Sequence, residues 1–553
     1  MTGDTRRSGA GPIAPQDPRS PYQRDHDRVF YSSEFARLEG VTQVVTLTAN
    51  SLHNRLTHSY RVEQVGESIT LALKKQGHDV NVDVVATAAL AHDIGHAPFG
   101  HTGEEALQNA LQCVEHRREH NDFEGRQGRK IREDVYEQVC KNNPPCALMD
   151  SFEGNAQSLR IVALLAPKSD NPTPFGLDLM QRTLRATVKY PWLKGAHPTK
   201  LEKWGAYDCD RAILEWVLGG PLGTPAEQSL EAQIMDTADD IAYAVHDLED
   251  FYKARLIPIA NLRVGSPDFV KVLNYAVTDP DKSKFKGLRE VHRHYGLLGR
   301  AEEAAITAIE SARANPGATT ATASIETADG VSVILNLPLH GNPRDRDVRD
   351  LILEQFPLLE QMNTMFNLLP GDAYSDNLAG RGQVTRMRSA LITAFVNDLI
   401  VVDGELKFAH DFVARFMEFM KQLTWFFVID DPDLINIRDG QRRVIGEMFQ
   451  ALYVKAQEVC IQEGSLPDKT PTMSLRQIDE SIRGLPPRLK DYLQLGAANP
   501  GNYLPRQIVA RAVVDYICSL TDEQAYTLHA QLTGSAAYAV PRALAALRVG
   551  SYP

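Results

Sequence analysis

Apolar residues along this chain recur mostly at helical spacing. Val62, Val65, Ile69 and Leu73 follow one another at intervals of three and four after Thr57-His58, which predicts one buried face of a helix. The run Val84-Val85-Ala88-Leu90-Ala91 is apolar on all sides and predicts a buried helix that delivers His92-Asp93 at its end. Ser158 to Ala166, Asp208 to Leu218, Ile234 to Tyr252 and Arg506 to Ser519 carry the same periodicity. Alternation is scarce. The best strand pattern is Ala323 to Leu337, with Asp329-Gly330 as a hairpin turn. The expected fold class is therefore all-α, with a small β-hairpin in an insertion.

Breaks rich in Pro and Gly near 167–176, 219–225, 312–318 and 465–472 read as loops. Residues 1–24 are Gly-, Pro-, Ser- and Arg-rich with little periodicity, so a flexible N-terminal tail is expected. The division expected from these shifts is a helical core over 25–260, an insertion or accessory lobe over 261–375, and a helical region over 376–553. The last would complete the core and offer an oligomer interface.

Composition narrows the class further. At 553 residues, 43% hydrophobic and 24% charged, the chain is ordinary globular protein. No run reaches the roughly 18 apolar residues of a membrane helix. The six cysteines (Cys113, Cys140, Cys146, Cys209, Cys460, Cys518) form no CxxC pair, which fits a reducing, cytoplasmic setting without a thiolate zinc site. A net charge of −12 does not indicate single-stranded DNA or an anionic membrane as partner, although a local basic groove would suit the former. No GxxxxGK[ST] occurs, so a classical P-loop nucleotide binder is not supported.

Candidate chemistry concentrates early: nine of the sixteen histidines lie between residues 26 and 120. His58, His92, His96 and His101 stand out, with His120 in a polar run beside them. In the string from Ala91 to Glu104, a helix ending in His92-Asp93 presents an imidazole and a carboxylate, both ligands for Mn, Mg, Fe or Zn. Gly95, Pro98 and Gly100 turn the chain back and bring His96 and His101 near. Farther on, Asp239, Tyr243 and Asp247 recur at i, i+4, i+8 on an apolar helix and so share a face. An unpaired interior carboxylate there is costly, and a metal would remove the cost.

His58, then His92-Asp93, then Asp239 resembles the H…HD…D signature of HD-domain phosphohydrolases. The strings around it narrow the likeness: Asn54-Arg55-Leu56-Thr57-His58-Ser59, AHDIGHAPFGHTGE at 91–104, FEGNAQSLR at 152–160 and ADDIAYAVHDLED at 238–250. With Phe35-Ala36-Arg37-Leu38, Thr42-Gln43-Val44, Lys189-Tyr190-Pro191-Trp192, and Val513 to Ile517 leading to Thr521-Asp522, the chain resembles the deoxyguanosine triphosphate triphosphohydrolase (dGTPase/dNTPase) family.

That resemblance implies an all-helical HD core in which water cleaves between the α-phosphorus and the 5′ oxygen of a dNTP, giving a deoxynucleoside and inorganic triphosphate. It assigns His58, His92, Asp93 and Asp239 to a divalent metal, Mn or Mg first, Co or Fe otherwise. His101 would be the general acid, Glu104 the carboxylate orienting it, and His96 a further catalytic histidine near the α-phosphate. Arg55 would contact phosphate. Gln43 and Asp247 would meet the 3′-OH, and Tyr243 would crowd C2′. Glu153 and Asn155, with Gln157, would line the pocket. Asp240 stands where eukaryotic SAM-and-HD relatives have a phosphate-binding lysine, leaving Lys189, Lys194, Arg381, Arg386 and Arg388 as cation candidates. Ala97 replaces a common proline. The family also implies homo-oligomers, hexamers among them, with dNTPs as substrate and, in some members, as activator.

Two other readings stay open on the residues alone. Another HD nucleotidase or phosphodiesterase would share His58, His92, Asp93 and Asp239 but has no evident need for Arg55, His101, Glu104 and Tyr243 together. A dNTP- or ssDNA-responsive regulator would not need the acid–base residues at all.

Overall fold

The computed structural model describes residues 5–9, 17–44, 54–112, 147–168, 174–223, 226–278, 286–315, 317–326, 332–338, 352–353, 356–465, 471–475 and 484–535. The fold is mainly helical, with small two-stranded antiparallel sheets. His120 and the Asp329-Gly330 turn lie outside the described residues.

The chain forms two compact units, one from Met1–Asp239 with Pro432–Pro553, the other from Asp240–Asp431. In the first unit α1 (Pro21–Phe30), α2 (Arg55–Lys75), α3 (Val82–Ala91), α4 (His101–Leu111), α5 (Gly154–Arg160), α6 (Gln181–Thr187) and α7 (Arg211–Leu218) precede α8 (Leu230–Ala242), which carries the chain across the boundary. α3 is the central post: every residue from Val84 to Ala91 is buried, and α1, α2 and α6 pack around it. Asn54 fixes the start of α2 through a reciprocal cap with Thr57.

The second unit holds α9 (Leu248–Lys253), α10 (Pro267–Thr278), α11 (Lys286–Arg313), the β1–β2 hairpin (Thr320–Glu326, Ser332–Pro338), α12 (Pro357–Phe366) and α13 (Leu378–Asn397). The hairpin β3–β4 (Leu399–Val402, Glu405–Phe408) and α14 (Asp411–Thr424) complete it. The chain then returns to the first unit as α15 (Pro432–Cys460), β5 (Ile461–Ser465), β6 (Pro471–Leu475), α16 (Pro487–Ala498), α17 (Pro505–Ile517) and α18 (Asp522–Leu532).

These divisions differ from the expected ones in two places. The second unit begins at Asp240 and runs to Asp431, because Phe366 of α12 meets Phe269 of α10 and Phe416 and Phe419 of α14, Phe269 also meets Phe419, and Phe416 meets Phe395 of α13. Residues 376–431 therefore group with the accessory segment, and only the chain after them completes the first core. There Ile445, Phe449, Val513 and Ile517 join Leu90, Ile94, Phe99 and Leu159 in one buried cluster. The N-terminal tail is also shorter than expected. Ser20 and Gln23 cap each other's backbone with Pro21 at the first helical position, so α1 starts inside the predicted tail. Upstream, Arg6 pairs with the buried Asp25 at 2.8 Å.

Candidate active site

Four side chains from three helices converge where α2, α3 and α8 meet. His58 comes from the first turn of α2, His92 caps the C-terminus of α3 with Asp93 beside it, and Asp239 comes from α8. His92 Nδ1 lies 2.6 Å from the carbonyl of Ala89, which places the ring proton on Nδ1 and a lone pair on Nε2. That lone pair faces Asp93 Oδ1 at 3.4 Å and Asp239 Oδ1 at 3.6 Å, and Nε2 is buried without a hydrogen-bond partner. His58 Nε2 is 3.1 Å from the same Asp239 oxygen. The ligand atoms of His58, His92 and Asp93 all lie within 4.8 Å of one another.

Electron pairs and carboxylates aimed at one point repel unless a cation or a proton lies between them. The donor set fits a divalent metal, since two carboxylates balance its charge and the imidazoles complete its coordination. In the bare protein a proton takes that place. Burial works against charging His92, yet Asp93 and Asp239 override it and raise the ring to about 9. Both carboxylates are held ionised against burial, Asp93 chiefly by Arg55 and Asp239 chiefly by Lys189.

Arg55 is almost wholly buried, and its Nη1 donates to Asp93 Oδ2 at 2.6 Å. Nε and Nη2 of the same guanidinium are buried with no partner. Unsatisfied charged donors beside a metal-type cluster are costly, and an anion would satisfy them. Lys189 Nζ sits 2.6 Å from Asp236 Oδ1 and 3.3 Å from Asp239 Oδ2, a second cation at the same edge.

A chain of acid–base groups leads away from Asp93. His96 Nδ1 is 3.1 Å from Asp93 Oδ1, and its Nε2 is 3.3 Å from Glu104 Oε1. Burial and the Arg55 charge push His96 down to about 4, so the ring is neutral and has one N–H for two carboxylates. A cation beside Asp93 relieves the oxygen left facing a lone pair. Glu104 is buried, yet the charge His96 carries when protonated and the hydrogen bond with His101 hold its carboxyl well below the usual carboxylate range. Its other oxygen, Oε2, lies 3.2 Å from His101 Nδ1. His101 opens α4 and its side chain is 73% exposed. It is the member of the group that a ligand from solvent would meet.

The FEGNAQSLR segment holds this turn from below. Ser158 Oγ donates to the carbonyl of His92 at 2.7 Å and accepts from Gly95 N–H at 3.0 Å. Gly154 lies so close that a Cβ there would stand 2.4 Å from Glu104 Oε1. Glu153 and Asn155, expected in the pocket, meet each other. Glu153 caps α5 by accepting from Asn155 N–H at 2.6 Å and Ala156 N–H at 3.2 Å, and it accepts from Asn155 Nδ2 at 2.9 Å. Gln157 points elsewhere, to Asp515 at 2.8 Å.

Gln43 stands at the rim; its Oε1 is buried without a partner, and its backbone packs against Gly100. Tyr243 and Asp247 belong to the second unit, on a π-helical turn Tyr243–Asp247 that follows α8. That turn departs from the α-helical i, i+4, i+8 spacing on which their common face with Asp239 rested. Arg381, Arg386 and Arg388 lie on α13 of the second unit, with Arg388 bonded to Glu249 at 3.1 Å. Lys194 stacks over Trp204.

Sequence reasoning missed Lys203. Its Nζ is 2.9 Å from Glu153 Oε1, and the Glu153 charge raises it above the ordinary lysine value. Nothing in Leu201-Glu202-Lys203-Trp204 distinguishes it from a surface lysine.

The family profile of the HD domain matches residues 55–187, the stretch that holds Arg55, His58, His92, Asp93, His96, His101 and Glu104. A deoxyguanosinetriphosphate triphosphohydrolase-like protein of Streptomyces coelicolor is 29% identical over 95% of this chain and 99% of its own length. The chain therefore carries an HD domain and is similar over nearly its whole length to a deoxyguanosinetriphosphate triphosphohydrolase-like protein. Relatives of that name from Corynebacterium glutamicum and Shewanella pealeana are 38% and 34% identical over 42% and 44% of this chain. Those two matches span 46% and 56% of the relatives' own lengths. As an HD-domain protein the chain is a hydrolase, and its clustered His and Asp side chains are suited to hold a metal. Among the described residues no helix is long and apolar enough to cross a membrane.

Proposed function

We propose that this protein hydrolyses deoxynucleoside triphosphates, dGTP among them, to deoxynucleoside and inorganic triphosphate. The observation that carries the reading is the continuity of the site. The metal-type cluster ends in Asp93, Asp93 meets His96 at 3.1 Å, His96 meets Glu104 at 3.3 Å, and Glu104 meets the exposed His101 at 3.2 Å. The names of the relatives support the substrate class.

His58, His92, Asp93 and Asp239 would hold a divalent metal, Mn or Mg, which supplies Lewis-acid polarisation of a phosphoryl oxygen. Arg55 keeps one nitrogen on Asp93 and offers its two unsatisfied donors to a phosphate oxygen. Lys189 and Lys203 neutralise the remaining triphosphate charge at the same edge. Glu104 accepts the Nδ1–H of His101 and so orients the ring, whose Nε2–H is donated to the 5′ oxygen as it leaves. A 5′ alkoxide is a poor leaving group, and this proton makes its departure feasible. Buried and neutral, His96 is suited to contact the α-phosphate without adding charge.

The test is a product assay. The purified protein is incubated with each dNTP and rNTP, singly and mixed, with Mn or Mg, and products are separated by ion exchange. Inorganic triphosphate with deoxynucleoside is expected. Phosphate or nucleoside monophosphate would assign a different HD activity, and no product from any mixture with metal bound would point to a regulatory role.

A further inference from the structure

We propose that Asp522, at the start of α18, is a positioning residue that latches the catalytic turn to the substrate-side segment at Thr42-Gln43. The proposal rests on the reading of His101 and Gln43 given above and adds a role for a residue over 400 positions away in sequence.

The turn from His92 to His101 contains one strained residue. Phe99 has φ +65°, a left-handed conformation unusual for an aromatic side chain, and Gly100 follows at +58°. A residue persists there only if its surroundings over-determine it. Asp522 Oδ1 accepts the Phe99 N–H at 2.8 Å, and the Phe99 ring packs on Tyr526, one turn along α18, with centroids 4.8 Å apart. The other carboxylate oxygen, Oδ2, accepts both the backbone N–H of Thr42 at 3.0 Å and its hydroxyl at 2.6 Å.

One carboxylate therefore holds the residue before Gln43 and the residue two before His101. A Cβ at Gly100 would stand 3.2 Å from the Thr42 carbonyl and 3.5 Å from that of Gln43, so the two segments lie in contact where Asp522 joins them. The front of the turn is held to the same corner. Arg37, largely buried, donates to the carbonyls of Ile94, His96 and Leu520, each at 2.9 Å. The C-terminal corner Leu520–Tyr526 thus grips the turn at both ends while leaving the His101 side chain exposed. An asparagine in place of Asp522 has one acceptor oxygen, and its amide would face a donor from Thr42 or Phe99.

The experiment compares the full-length metal-loaded protein with Asp522→Asn and with His529→Ala. The latter loosens α18 at its far end by breaking the 2.7 Å contact of His529 with Glu447 and touches neither segment. In Asp522→Asn, amide exchange over 94–101 and at Thr42 should quicken roughly tenfold, as for loss of one charged hydrogen bond. Its kcat for triphosphate release should fall roughly 10- to 100-fold with metal content unchanged, whereas His529→Ala should match wild type in both. Unchanged exchange at Phe99 and Thr42 overturns the latch whatever the activity, as does an equal loss of kcat in the two variants. If Asp522→Asn does not fold, Tyr526→Ala, at a residue 46% exposed, removes the ring contact and should shift exchange and kcat in the same direction. A wild-type protein that releases no triphosphate sinks the dNTP reading instead, and the exchange comparison still decides the latch.

Discussion

His101 and Asp239 represent the two kinds of residue in the site, and removing each should have a distinguishable consequence. His101 is exposed and bonded to Glu104, outside the cluster of His58, His92 and Asp93. His101→Ala should lower kcat by roughly 10²- to 10⁴-fold, the usual worth of a general acid, with metal content by elemental analysis unchanged. Asp239→Ala removes the oxygen that stands 3.1 Å from His58 Nε2, so metal occupancy itself should fall. Metal loss in the first variant, or full occupancy in the second, would reverse the assignments. These residues were legible in the sequence because the strings around them are distinctive; the His-Asp doublet alone also occurs at His26, His78, His246 and His410. Lys203, Arg37 and Asp522 were not legible as site residues. Their roles come from contacts with residues far away in sequence, which local pattern does not encode.

At the level of elements, the helices were legible from their apolar spacing and their interruptions were not. The π-helical turns at Ile161–Leu165 and Tyr243–Asp247 leave no mark on hydrophobic periodicity. The β3–β4 hairpin was announced by Asp403-Gly404, both at positive φ, and was overlooked amid helical sequence. The start of α5 makes a further prediction. Gly154 has no room for a methyl group, since a Cβ there would stand 2.4 Å from Glu104 Oε1 and 3.3 Å from His96 Cε1. Gly154→Ala should therefore displace the pair that orients His101. Overpacking of this kind costs about 1–3 kcal/mol, and kcat should drop roughly 10- to 100-fold with metal retained; an unchanged kcat would mean that Glu104 moves freely.

The packing of α1 on α2 should carry a pH signature. His26 Nε2 lies 2.6 Å from Glu63 Oε1, and that bond raises the imidazole above its ordinary value against the opposing effect of burial. A raised folded value means that the contribution is fully present below about pH 6.5, the unfolded value. It is lost as pH rises through the folded one. Both side chains are partly exposed, so about 0.2–1 kcal/mol is expected. Urea midpoints of wild type and His26→Gln should differ at pH 5.5 and converge at alkaline pH, and a gap that widens instead would refute the assignment.

For the molecule as a whole, the first unit is discontinuous, and its two halves are joined by buried charge as well as by apolar packing. Arg160 of α5, next to the catalytic turn, is bonded to Asp515 of α17 at 3.0 Å and to Asp210 at 2.7 Å. Gln157 reaches the same Asp515 at 2.8 Å, and the Asp515 side chain is fully buried. The sequence offered Arg506 to Ser519 as a helix and could not say what Asp515 within it meets. Desolvating such a group costs several kcal/mol unless its partners satisfy it, so the network is worth more intact than its members suggest singly. Asp515→Ala leaves Arg160 buried with only Asp210 to balance it and strands Gln157. Loss of one partner from a buried ion pair costs about 3–5 kcal/mol, a large part of a domain's margin. The first unit should therefore unfold at markedly lower urea, followed by loss of the HD site and its metal. Because Ser158, between Gln157 and Arg160, holds His92 and Gly95, the metal should be released in the same transition as the tertiary structure. Metal release well before unfolding would show that α5 is positioned without α17. An unchanged midpoint would show that the charge network contributes nothing net to joining the two segments.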